Sequence, residues 1–329
     1  AFNDVLLGMA DGAAVGVDVK RGGQFIVDGA DLLLGATAGS EVSMTVSGIN
    51  THNAPALLKV SAVAGTFTTG YCAIGESGTG RLLIHSGGQV DCRTIRIGGQ
   101  TGGSGYVSVD GANGGSALFT EGGLCIGGDL LTLCDGVETG SHGTLELKNS
   151  ASVSAGRGTL IGPGGRVTGS GDLSVGVLGL NIENGGSVDP GVTILGVPRA
   201  PTALQAIQPG ALNIGGNVSI SPTAVITLDV IGDTPSLYDR LIITGTANLG
   251  GQLVLNFGNG FAPQQGDSFA FMQAGAFSGT FQTTTIAGLE PGFTYTLSAT
   301  GGTFNLVALN DGVPTTQPTY QLFLPLVRR

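Results

Sequence analysis

Apolar and polar positions alternate along most of this chain in short runs separated by glycine-rich turns. The clearest unit is an Ile-Gly step, a turn with two or three glycines, and a short alternating apolar run. Ile74-Gly75 leads through Gly78 and Gly80 to Leu82, Leu83 and Ile84. Ile97-Gly98 leads through Gly102, Gly103 and Gly105 to Val107 and Val109. Ile126-Gly127 leads, after an insertion, through Gly140 and Gly143 to Leu145 and Leu147, and Ile161-Gly162 leads through Gly169 and Gly171 to Leu173 and Val175. A fixed local pattern at variable spacing predicts coils of one kind with insertions confined to the turns. A short strand per face and a tight glycine corner are what a parallel β-solenoid requires, each coil leaving an apolar edge that only the next can cover. At about 25 residues per coil and ~4.8 Å per rung, some twelve coils and a rod about 55–60 Å long are expected. The inward ladders should hold Leu82, Ile84, Ile95, Ile97, Val107, Val109, Ile126, Leu145 and Leu147.

The same signals continue on both sides. Gln24–Val27, Asp31–Leu34, Val42–Val46 and Leu57–Val60 read as strands between turn residues, so the glycine-rich solenoid spans 1–195. Residues 196–210 are a Pro-rich excursion with room for one helical turn at Thr202–Ile207. Strand pattern resumes over 211–276. Phe277, Phe281, Phe293, Tyr295 and Phe304 in 277–310 supply bulk for a hairpin-like cap. Residues 311–329 are a linker and an apolar tail strand, with Tyr320, Leu322, Phe323, Leu324, Leu326 and Val327 as candidate self-association residues. Pro325 confines that strand to an edge or groove.

Two stretches resemble the passenger domains of autotransporters. The first is the Ile-Gly phrase over about 71–175 with Ser86-Gly87-Gly88-Gln89-Val90. The second is Gly210–Val218, Tyr238-Asp239-Arg240-Leu241-Ile242-Ile243 through Gly250-Gly251-Gln252-Leu253, Gly266–Phe269 and Ser278–Phe281. The resemblance implies an all-β, right-handed parallel β-helix, secreted and displayed at a cell surface. The translocating barrel of that family does not follow residue 309; the short apolar tail stands there instead.

Composition narrows the function. Glycine makes up 61 of 329 residues without a Gly-X-Y period, which excludes collagen. Charged residues are 11 %, less than half the usual ~25 %, as suits a surface that packs against copies of itself or lies outside the cell, and equally a fold whose glycine corners leave little room for charged side chains. The net charge of −10, with no basic cluster beyond Lys20-Arg21 and Arg328-Arg329, argues against nucleic acid. No apolar run approaches the ~20 residues of a membrane span. The opening Ala1–Gly8 already reads as strand and turn, as a secreted chain would after loss of its leader and as any chain trimmed to begin there would too.

Four cysteines, Cys72, Cys92, Cys125 and Cys134, lack the CxxC spacing of a zinc site. Local pairing, Cys72 with Cys92 and Cys125 with Cys134, is the preferred disulfide arrangement; buried free thiols are the alternative. Catalytic signals are absent: no GxSxG, no GxxxxGK[ST], and histidines at 52, 85 and 142 without ligand-spaced partners. Polysaccharide cleavage needs clustered carboxylates along a groove, and Asp91 with Arg93 and Arg96 is the nearest approach. Asp229, Asp233 and Asp239 are a loop set without calcium-loop spacing. The expectation is therefore no catalytic, cofactor or metal site, and not an enzyme. The chain reads as an extracellular structural subunit whose partners are its own copies, joined head to tail into a filament or sheath. A cell-surface adhesin is the alternative, with extracellular polysaccharide as a further partner, and a polysaccharide-active enzyme is third.

Overall fold

The computed structural model describes residues 4–63, 69–128, 140–194 and 206–315. It is all-β, with no helix among the described residues, and most strand pairings are parallel. The strands stack into three faces. Face one begins with Val5–Leu7, Leu32–Leu34, Tyr71–Ile74, Thr94–Ile97 and Gly123–Ile126, and continues through Gly158–Ile161, Leu180–Ile182 and Val218–Ile220. It ends on the second halves of Arg240–Leu249 and Ser268–Gly279. Face two runs from Ala14–Lys20 through Glu41–Ser47, Thr79–His85, Ser104–Asp110 and His142–Ala155 to Gly165–Ser174. Ser187–Ile194, Val225–Val230, Gln252–Phe257 and Thr283–Ala287 complete it. Face three runs from Gln24–Asp28 to the first half of Ser268–Gly279, and there the antiparallel pair Tyr295–Thr300 and Thr303–Ala308 joins it.

Face one holds ten rungs among the described residues, not twelve. The register step from rung to rung ranges from 21 residues, Thr159 to Leu180, to 40, Leu32 to Cys72. Residues spent in excursions from the corners lengthen the coil without adding a rung. The Pro-rich excursion had room for one helical turn at Thr202–Ile207; at its end Ala206–Pro209 is a strand, antiparallel to Ser187–Ile194. Residues 202–205 lie outside the described residues.

The interior is a set of stacked aliphatic columns. Leu34, Ile74, Ile97, Ile126, Ile161, Ile182 and Ile220 follow one another along face one, all fully or nearly fully buried. The nine inward positions expected from the sequence are buried as well. The Ile-Gly step has a specific cause: Gly75 (φ 74°) and Gly98 (φ 73°) turn the corner from face one to face two in the left-handed region. A Cβ on either would lie 2.1 Å from a carbonyl oxygen of the next coil, that of Ser104 or His142.

The neighbouring column contains a flaw. Thr159 occupies the inward register position of Leu124 and Leu180, and its buried hydroxyl has no hydrogen-bond partner. Desolvating a hydroxyl without a partner costs about 1–3 kcal/mol, and valine fills nearly the same volume. Thr159→Val is expected to stabilise the protein by about 1 kcal/mol, read as a higher urea midpoint at unchanged slope.

Candidate functional site

Of the residues singled out for chemistry, the three histidines, Asp91, Arg93 and Arg96 do not converge. His52 sits in an exposed turn, His85 ends the strand Thr79–His85, and His142 begins the strand His142–Ala155. Asp91 pairs with Lys59 at 3.3 Å across face three. Arg93 instead donates to the Thr69 carbonyl, and Arg96 pairs with Glu76 at 2.6 Å. Cys72 and Cys92 form a disulfide inside the solenoid, between faces one and three of the same coil. Cys125 is also disulfide-bonded. Cys134 and the tail residues Tyr320, Leu322, Phe323, Leu324, Leu326 and Val327 lie outside the described residues.

Two polar assemblies occupy face two. The first is a network across three rungs. Arg81 stacks over the Tyr106 ring at 5.0 Å, and the Tyr106 hydroxyl donates to Glu146. Glu146 also accepts from Ser108 at 3.2 Å and pairs with Lys148 at 2.7 Å. Burial, then the hydrogen bond to Glu146, push the Tyr106 phenol above its ordinary range. Beside it lies a shallow cleft of about 280 Å³ lined by Thr79, Arg81, Ser104, Tyr106, His142 and Thr144.

The second assembly is a knot of three aspartates. Asp189, Asp229 and Asp239 are all buried, and their carboxylates lie within 4.8 Å of one another. Each comes from a different strand or corner. Asp189 points outward from Ser187–Ile194, Asp229 lies in Val225–Val230, and Asp239 precedes Arg240–Leu249. Asp239 accepts from two main-chain N–H groups, Gly210 at 2.7 Å and Asp229 at 2.8 Å. Its carboxyl thereby ties together the roots of two excursions, 191–210 and 231–238. Asp229 accepts from Asn256 at 2.8 Å, and Arg166 donates to Asp189. Burial pushes Asp239 up to about 9 against those two N–H bonds, with the charges of Asp229 and Asp189 adding to the rise. Burial likewise raises Asp189 to about 6, where Arg166 opposes and Asp229 reinforces. Asp229 is also raised by burial.

One guanidinium therefore faces three carboxyls, and the knot holds protons near neutral pH. Arg166 already supplies the positive charge that a cation would bring. Asp239 is fully buried, so no external substrate reaches it in this conformation. Asp229 and Asp239 were legible as a loop pair, whereas exposed Asp233 takes no part. Asp189 was missed because it lies 40 residues before Asp229, and only the stacking of coils brings them together.

The sequence matches no protein-family model and no curated protein. No helix among the described residues is long and apolar enough to cross a membrane.

Proposed function

We propose that this chain is a non-catalytic extracellular structural subunit, a right-handed parallel β-helix with a C-terminal hairpin cap, whose copies join head to tail. The supporting observation is the coil over 5–28, whose outer side is not paired among the described residues. Val5–Leu7, Ala14–Lys20 and Gln24–Asp28 each pair on one side only among the described residues. Of their inward side chains, Val5, Leu7, Val15, Val17 and Phe25 are only half-buried and Val19 and Val27 are buried, while Leu32, Leu34, Val42, Met44 and Leu58 one coil on are sealed. Three strand edges unpaired among the described residues, beside a partly exposed apolar floor, invite another strand.

The tail is the strand proposed to fill it. The described chain ends near the other pole, where Thr315 N–H donates to the Gly288 carbonyl at 2.9 Å. The 14 residues beyond Thr315 would reach roughly 45 Å if extended, enough to cross to the coil over 5–28 of a following copy. Seven of the eight residues from Tyr320 to Val327 are apolar or aromatic. Burying three or four of them contributes roughly 5–10 kcal/mol. A heterologous contact that does not close builds an open filament. The disulfide in the core fits an oxidising, extracellular setting.

Negative-stain microscopy tests this. Protein comprising residues 1–329 should form regular fibres, and protein lacking 319–329, or carrying Val17→Lys on the coil over 5–28, should give short isolated rods. Truncated protein that assembles with the same repeat removes the tail as the joint. Isolated rods from the full chain overturn the polymer and favour the adhesin.

A further inference from the structure

Asp189, the member of the knot held by Arg166, is followed by Pro190, and this is the only Asp-Pro step in the sequence. An Asp-Pro bond is intrinsically labile. The prolyl nitrogen belongs to a tertiary amide and leaves as a basic secondary amine, and the aspartyl carboxylate reaches its own main-chain carbonyl carbon through a five-membered ring. Three features single out this bond in the fold. The parallel register jumps from Thr168↔Asp189 to Gly169↔Gly191, so Pro190 sits in a bulge without a partner on Gly165–Ser174. Gly191 adopts φ 109°, and a Cβ there would lie 2.6 Å from Asp239 Oδ1. Glycine at 191 thus admits the buried Asp239 carboxyl to the main chain one residue past the bond.

We propose that the folded chain cleaves itself at Asp189–Pro190, with Asp189 as nucleophile and Asp239 as proton donor. An Asp189 carboxylate oxygen attacks the Asp189 carbonyl carbon and forms the C–O bond of a cyclic anhydride. The C–N bond to Pro190 breaks, and the prolyl nitrogen takes the proton of neutral Asp239. Water then opens the anhydride to the two carboxylates of Asp189. Of the two protons released, one returns to Asp239 and the other charges the new prolyl amine. One water is consumed and nothing is oxidised or reduced. The fragments have 189 and 140 residues, and rungs on both sides of the break hold them together, so the nick shows only under denaturing conditions. The event is intramolecular and goes beyond the structural role proposed above.

The charged groups facing Asp189 are Arg166 from Gly165–Ser174, Asp229 from Val225–Val230, and Asp239. The reaction needs Asp189 ionised and Asp239 protonated. With Asp189 at about 6 and Asp239 at about 9, both conditions hold between those two values. An unfolded Asp-Pro chain, with ordinary carboxyls, cleaves only in acid.

The test is incubation of the full chain across acid to alkaline pH, followed by intact-mass spectrometry in denaturant. The expected products end at Asp189 and begin at Pro190. They should appear at least about tenfold faster than in concentrated urea, with a maximum between pH 6 and 9. Hydroxylamine should convert the 189-residue product to its hydroxamate by trapping the anhydride. Asp189→Asn should abolish the neutral-pH cleavage, and Pro190→Ala should slow it by about tenfold, each in protein with the wild-type circular dichroism spectrum. Asp239→Asn should remove the alkaline limb of the profile. Hydroxylamine trapping on the unmutated chain keeps the test open if variants misfold. Wild-type protein that stays intact at neutral pH, cleaves no faster than in urea, or cleaves ever faster toward acid overturns the proposal.

Discussion

Gly75→Ala is expected to lower stability by more than about 3 kcal/mol or to prevent soluble expression. Its Cβ would sit 2.1 Å from the Ser104 carbonyl oxygen and 2.6 Å from the Gly105 nitrogen, both main-chain atoms of the next coil. Neither can yield without breaking the rung. Gly12 supplies the internal control: its φ of 72° matches that of Gly75, yet a Cβ there meets nothing within 4 Å. Gly12→Ala should cost only the backbone strain, about 1–2 kcal/mol. Urea midpoints of the two variants separate close approach from conformational preference. Equal losses would mean that the clash between coils contributes nothing.

Removing the interior disulfide is expected to have the second large effect. Cys72 lies in register between Leu32 and Ile95, so its sulfur occupies a core position. The bridge closes a sequence separation of 20 residues, for which chain-entropy arguments give about 3 kcal/mol. Cys72→Ala with Cys92→Ala should lose that amount and roughly another 1–2 kcal/mol for the space vacated. Reduction leaves the side-chain volume in place, and in a Cys125→Ser background shared by every protein compared, so that the Cys125 bridge does not enter, it should show the first loss without the second. The comparison is made by equilibrium unfolding with and without reductant.

The repeating corner was readable because it is local. Ile74-Gly75 and Ile97-Gly98 each state in two residues that a rung ends and the backbone enters the left-handed region. Inward positions followed from strict alternation, and Leu82 and Ile84 are buried as their pattern required. Among the described residues the coil count fell short because excursions lengthen the register step to as much as 40 residues; Pro-rich composition marked the excursion at 196–210, whereas the step from Leu32 to Cys72 carries no such mark. The aspartate knot was unreadable for a related reason. Asp189, Asp229 and Asp239 meet only through the stacking of successive coils and a corner, so no window of sequence contains them. The unpartnered Thr159 hydroxyl was equally hidden, since threonine is at home in strands.

The disulfide joins two points of one coil and none between coils. Tension along the rod therefore loads the rung hydrogen bonds directly, and the covalent bridge bears none of it while the coils remain stacked. Once a coil peels away, however, the chain between Cys72 and Cys92 cannot pay out. At roughly 3.5 Å per residue, the separation of 20 residues withholds about 70 Å of slack. The bridge thus acts as a length stop, shortening the extension released by the third coil while leaving the force needed to detach it to the hydrogen bonds alone.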